Sequence, residues 1–294
     1  GADVIFGEGG NDVFYDSEGA DTYDGGDSNL DILFYDRSSH ITSIRVELDS
    51  SNVTTVVVNG GGAEDDTIVN IERVWGSEGD DYFAGDSLGN YFYGDDGDDM
   101  FIGSDGTDYI NGGAGVNTMD YSALTVNISS LIDSGSQYLV SKAGSGSDTL
   151  NYITRLMTGE GNDSITTGLN SEFIQTNGGA DSVTISYDGV IVETGAGQDS
   201  IEVDAGGISL DAGDDDDTGV GIAGEILDQF HAVHVGQHQI NDADAGPLTL
   251  DGCTGLLAEA KALTADIVLF ECTADQIEQV ALVFHHENLC INGR

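Results

Sequence analysis

The chain has 294 residues, of which 54 are Asp or Glu and only 7 are Lys or Arg, giving a formal charge of −47 with 43 glycines and a single proline. That balance excludes a nucleic-acid binder, whose phosphate contacts need clustered basic residues, and it disfavours an anionic membrane surface except through bridging calcium. No apolar run approaches a membrane span and no signal peptide opens the chain.

Carboxylates at this density repel one another, yet 39% of the residues are apolar and they recur at fixed intervals. A neutralising agent is therefore expected. Hard divalent cations fit, because Ca²⁺ takes about six to eight oxygen ligands from carboxylates and carbonyls.

From the first residues onward, Asp3, Asp12, Asp21 and Asp31 are each followed two positions later by a large apolar side chain, Ile5, Phe14, Tyr23 and Leu33. The last step is ten residues rather than nine, which predicts a bulged turn. Residues 36–64 then form a glycine-poor insertion with alternating apolar positions at Ile44, Val46 and Leu48, read as longer strands without metal. Asp66 resumes the turn pattern. Residues 76–120 divide into five consecutive nonapeptides, GSEGDDYFA, GDSLGNYFY, GDDGDDMFI, GSDGTDYIN and GGAGVNTMD. Their sixth positions are Asp81, Asn90, Asp99, Asp108 and Asn117, and their inward apolar positions are Phe83, Phe92, Phe101, Ile110 and Met119.

A nine-residue period is too short for a helical repeat, so each unit is one turn plus one very short strand. Glycine supplies the backbone conformations of the reversal. Aspartate sets a carboxylate beside the turn's carbonyls. The apolar residue stacks on its equivalent in the next coil.

A second insertion covers 121–146, with strand character at Val126-Asn127-Ile128, and Asp148 resumes the turns. The segment starting at Asp65 matches the one starting at Ser147 with a constant offset of 82. Asp163, Asp181 and Asp199 follow at eighteen-residue spacing, one full coil. The other half-coil carries Glu172, Val190 and Ile208 at the sixth position, so ions are expected along one edge only. Asp217 continues that edge by spacing, and Gly219 ends it. The chain thus divides into a repeat domain, 1–219, and a C-terminal cap or small mixed domain, 220–294.

The tail holds five of the six histidines and all three cysteines. It admits two readings. One has a helix over 256–263, a capping box at Thr273 and Gln276, and strands at 248–250, 267–270 and 288–291. The other continues the coils without metal, since Cys253, Cys272 and Cys290 are 19 and 18 residues apart. The cysteines read as buried small hydrophobes. His231, His234 and His238 lack a partner at zinc-site spacing, and His285-His286-Glu287 lacks the spacing of a metalloprotease motif. No nucleophile elbow or phosphate loop is present, and the single Trp75 reads as a core plug.

The repeated units resemble the RTX (repeats-in-toxin) nonapeptide GGxGxDxUx, over roughly residues 1–218. The resemblance implies an all-β fold, a right-handed parallel β-roll or β-solenoid that folds as extracellular calcium binds, usually after export through a type I secretion channel. The sixth-position carboxylates of Asp12, Asp21, Asp81, Asp99, Asp108, Asp163, Asp181 and Asp199 would be its ligands. Asp3, Asp31, Asp66, Asp148 and Asp217 join them by spacing. Asn90 and Asn117 offer only a neutral amide oxygen, so weaker or absent sites are expected there.

Two functions remain open at this point. With repeats filling most of the chain and no catalytic constellation beside them, the first is a secreted or surface-attached calcium-binding scaffold or adhesin, not an enzyme. Its partners would be calcium, other copies of itself stacked end to end into a fibre, or surface glycans. The second is the secretion and stabilising module of a larger exported hydrolase. The chain opens in mid-repeat at Gly1-Ala2-Asp3 without an initiator Met, which places that catalytic domain upstream.

Overall fold

A computed structural model of the chain describes residues 1–203 apart from 28–29, 37–39, 50–52, 133–136 and 169–170. Beyond 203 it describes the strands at 209–211, 221–222, 232–234, 249–250, 253–256, 267–272 and 280–283. The expected bulge between Asp21 and Asp31 includes Ser28 and Asn29, outside the described residues.

Most repeats contribute a three-residue strand, and successive strands alternate between two sheets. Val4–Phe6 pairs in parallel with Thr22–Asp24, and Val13–Tyr15 with Ile32–Phe34. Among the described residues the first sheet has 13 strands and the second 12. The fold is a parallel β-roll. In each three-residue strand from Val13–Tyr15 to Ile191–Glu193 the middle residue faces inward while its neighbours do not, as in Tyr82–Ala84 and Tyr91–Tyr93. Phe83 of the first sheet stacks on Phe101 one coil away, at 5.2 Å between ring centroids, and on Phe92 of the facing sheet at 5.0 Å. Both sheets therefore share one core. Burying a side chain of this size contributes about 1.5–3 kcal/mol, so the apolar row supplies cohesion once the acidic edges permit it.

The two insertions are three-stranded meanders, and here the structure differs from the expected parallel course. Ile44–Glu47, Val53–Val58 and Asp66–Val69 pair antiparallel within the first sheet. Ile128–Ile132, Tyr138–Lys142 and Gly146–Asn151 do so within the second. Strands joined by tight hairpins cannot run parallel, because a parallel pair needs a long crossover. The meanders occupy opposite sheets because the six strands between them, Arg73–Trp75 to Thr118–Asp120, alternate between the sheets, so the next strands fall in the second one.

Trp75 also departs from expectation. Val74 fills the core position, and Trp75 lies on the outer face, half-buried between Phe34 at 5.0 Å and Tyr93 at 4.1 Å. Strand alternation decides this: Val74, not Trp75, lies two residues after the sixth position of its coil.

The sheets run on through Gly221–Ile222 and Ala232–His234, the latter pairing with Ser209–Asp211. Farther along, Thr249–Leu250, Cys253–Leu256, Ile267–Cys272 and Val280–Val283 form an antiparallel sheet in which Cys253 pairs with Cys272. Antiparallel pairing replaces the continued coil at these two cysteines. The helix expected over 256–263 is not formed at Leu256, which ends the strand Cys253–Leu256; its residues 257–263, the helix after Thr273, the strand at 288–291, and His231 and His238 lie outside the described residues.

Candidate metal centre

The sixth residue of each coil stands just before its strand, and its side chain reaches the backbone of the preceding coil. On the edge leading into the first sheet, Asp21 Oδ1 accepts the N–H of Asp3 at 2.7 Å and Asp66 Oδ1 that of Asp21 at 2.8 Å. Asp99 Oδ1 accepts from Asp81 at 2.9 Å, and Asn117 Oδ1 from Asp99 at 3.0 Å. Asp81 Oδ1 takes the N–H of Ile44 from the first meander.

The second edge repeats the design. Asp31 accepts from Asp12, Asp108 from Asn90, Asp148 from Asp108, Asp163 from Ile128, Asp181 from Asp163 and Asp199 from Asp181, all within 2.7–2.9 Å. Twelve of the thirteen acidic positions singled out in the sequence, all but Asp217, thus join two ladders, with Asp3 and Asp12 entering through their N–H groups. Asp217 lies outside the described residues.

One oxygen of each carboxylate is committed to its ladder, so the other decides the chemistry. At Asp12, Asp99, Asp163 and Asp181 the buried Oδ2 has no hydrogen-bond partner. The hydroxyls of Thr158 and Thr176 lie beside Asp163 and Asp181, but they donate to the carbonyls of Thr176 and Thr194. A buried anionic oxygen without a donor costs several kcal/mol; a bound cation removes that cost.

The first-position glycines leave the room required. A methyl group on Gly94 would collide with Asp99 Oδ2 and with the carbonyl oxygen of Gly112 in the next coil. On Gly7 it would meet Asp12 Oδ2 and the carbonyl of Gly25 at 2.5 and 2.7 Å. Carboxylate and carbonyl oxygens from two coils therefore converge on one small space, a donor set suited to Ca²⁺.

Elsewhere the second oxygen finds a donor. Ser17 and Tyr23 reach Asp21 Oδ2 at 2.8 and 3.2 Å, Tyr35 reaches Asp66 Oδ2 at 3.0 Å, and the N–H of Ser77 reaches Asp81 Oδ2 at 2.6 Å. Asn117 turns its amide NH₂ toward the carbonyls of Gly113 and Tyr152, putting a donor where its aspartate counterparts present an oxygen.

Electrostatics follow from this crowding. Burial pushes the carboxyls of Asp66 and Asp99 up to about 8, and those of Asp81, Asp108 and Asp181 to about 6. Neighbouring carboxylates add to the burial at Asp66, where Asp16 contributes, and at Asp99, where Asp81 does. Asp16, Asp21 and Asp66 bring carboxylate oxygens within 4.8 Å of one another.

Three participants escaped the sequence reading. Glu72 fills the ladder position between Asp31 and Asn90, its Oε2 accepting the N–H of Asp31 at 3.1 Å. The spacing to Val74, two residues on, was the available signal. Asp16 stands where the repeat has its first glycine. Lys142 is buried beside Asp108 and Asp148; no periodicity marks it.

The RTX calcium-binding nonapeptide repeat family matches in four copies, over residues 1–29, 85–119 and 142–183. Among solved structures the chain is similar to an extracellular lipase from Serratia marcescens, with 17% identity and a TM-score of 0.26 over 76% of this chain. The chain spans 42% of that lipase's length. No curated protein matches it. The matched stretches, which carry parts of both carboxylate ladders, are therefore RTX calcium-binding nonapeptide repeats, a repeat type that binds multiple Ca²⁺ ions.

Proposed function

We propose that this chain is an extracellular calcium-binding structural or adhesive module of a secreted or surface protein, whose roll is held closed by ions seated along its two edges. RTX repeats are themselves structural, non-catalytic modules typical of secreted proteins. The observation that carries the reading is the set of buried, unpartnered oxygens at Asp12, Asp99, Asp163 and Asp181. These four would hold ions together with carbonyls of the adjoining turns. Asp3, Asp21, Asp31, Asp66, Asp81 and Asp199 extend the same edges, and Asp16 joins Asp21 and Asp66. The ions would supply charge neutralisation and cross-coil ligation, coupling folding to extracellular calcium.

Circular dichroism of the full chain during a calcium titration, with magnesium as control, tests this. A β spectrum that appears with calcium and not with magnesium supports it; a spectrum indifferent to calcium overturns it.

The coils pair with one another through parallel backbone ladders, which a coil of another copy could continue. This favours end-to-end stacking of copies into a fibre. Electron microscopy with and without chelator checks it, filaments in calcium alone being the expected result and monomers in both conditions the refuting one.

A further inference from the structure

At the second insertion the chain brings a cation of its own. Lys142 ends the strand Tyr138–Lys142, and its side chain is fully buried. Its Nζ lies 2.6 and 2.7 Å from the two oxygens of Asp148, 2.7 Å from the carbonyl oxygen of Ser104 and 3.5 Å from Asp108 Oδ2. Those partners are a carbonyl of the turn over 103–108, the sixth-position carboxylate of that turn, and the sixth-position carboxylate of the next coil on the same edge. They are the oxygen types that converge between turns elsewhere along the roll.

We propose that the Lys142 ammonium takes the place of a calcium ion between Asp108 and Asp148, so that this one junction closes without metal. The proposal rests on the reading that other junctions bind calcium. The hairpin is shaped for the purpose. Its tip presses on the turn below, where the N–H of Gly106 donates to Ser145 O at 2.9 Å. Gly146 there has φ +97°, and a Cβ on it would collide with the Gly106 carbonyl. Tyr121 donates to Asp148 Oδ2 at 2.6 Å, and Asp148 Oδ1 also accepts the N–H of Asp108. Both oxygens of Asp148 are thereby committed within the protein.

The first insertion provides the contrast. Val140 pairs with Asp148 and Val56 with Asp66. Two residues beyond Val140 comes Lys142; two beyond Val56 comes Val58. Tyr35 donates to Asp66 as Tyr121 does to Asp148, but three carboxylates, those of Asp16, Asp21 and Asp66, crowd there. His40 Nε2 stands 3.9 Å from Asp16. The chain thus has two related junctions, one acidic and one carrying its own positive charge.

The test counts ions. The full-length chain, Lys142→Met and the double variant Lys142→Met/Asp148→Asn are saturated with calcium and weighed by native mass spectrometry, and their unfolding midpoints are measured in calcium and in chelator. Lys142→Met is expected to bind one calcium more than wild type, to unfold at a lower temperature than wild type in chelator, and to recover in calcium. The double variant is expected to keep the wild-type count. Equal, non-zero counts in wild type and Lys142→Met overturn the proposal alone. Failure of Lys142→Met to fold in calcium while the double variant folds also overturns it. No calcium in any chain overturns the calcium reading and this proposal with it.

Discussion

The substitution Asp99→Asn separates the two duties of a sixth-position carboxylate. Asp99 is 1% exposed; its Oδ1 accepts the N–H of Asp81 at 2.9 Å, and its Oδ2 has no hydrogen-bond partner. An amide in its place keeps the ladder acceptor, as Asn117 does one coil on, where its Oδ1 accepts from Asp99 at 3.0 Å. What is lost is the charge. A carboxyl held at about 8 in the folded chain, against 3.8 as its ordinary value, weakens the metal-free roll by on the order of 5 kcal/mol at pH 8. Removing it should therefore stabilise the chain in chelator. In calcium the sign reverses, because a site occupied at a hundred times its dissociation constant contributes about 2.7 kcal/mol and the variant forfeits it. Urea unfolding of both proteins at pH 8, in chelator and in saturating calcium, reads the two effects. A variant less stable than wild type in chelator, or one keeping the full calcium stabilisation, would refute the reasoning.

Raised carboxyl values at Asp66, Asp81, Asp99, Asp108 and Asp181 mean that the folded chain binds more protons than the unfolded one. Metal-free stability is then fully present below about 4 and lost as pH rises through about 6 to 8; chelated protein should melt higher at pH 5.5 than at pH 8.5, and the same melting temperature at both would contradict this. Phe83→Ala removes a ring that is fully buried between Phe92 and Phe101, at an expected cost of about 3–5 kcal/mol measured in calcium. Gly115→Ala puts a methyl group against the carbonyl of Gly97 at a residue with φ +110°, so a lowered melting temperature in calcium is expected, and an unchanged one would deny the close packing of coils.

Spacing made the roll legible, because an acidic corner two residues before an inward apolar side chain encodes turn, ligand position and core in one unit. Asp81 with Phe83 and Asp163 with Ile165 sit in the structure as that unit requires. Glu72 obeys the same offset to Val74, but a longer carboxylate outside a glycine-rich frame carries a weaker signal. Lys142 was illegible for a different reason. It meets Ser104 across 38 residues, a contact created by a hairpin whose antiparallel course depends on tertiary packing. Trp75 was misplaced because bulk suggests burial, whereas alternation along a three-residue strand had already given the inward position to Val74.

The outward stack gives the protein an intrinsic optical reporter. The sole indole lies stacked nearly parallel to the Tyr93 ring, at 2° between planes, and close to Phe34 on the other side. Those three rings come from three successive coils of one sheet, so tryptophan emission and its anisotropy follow the docking of neighbouring coils without any label. Stopped-flow mixing with calcium would time that docking separately from the spectral change of the whole roll, dating the assembly of this stretch against the rest.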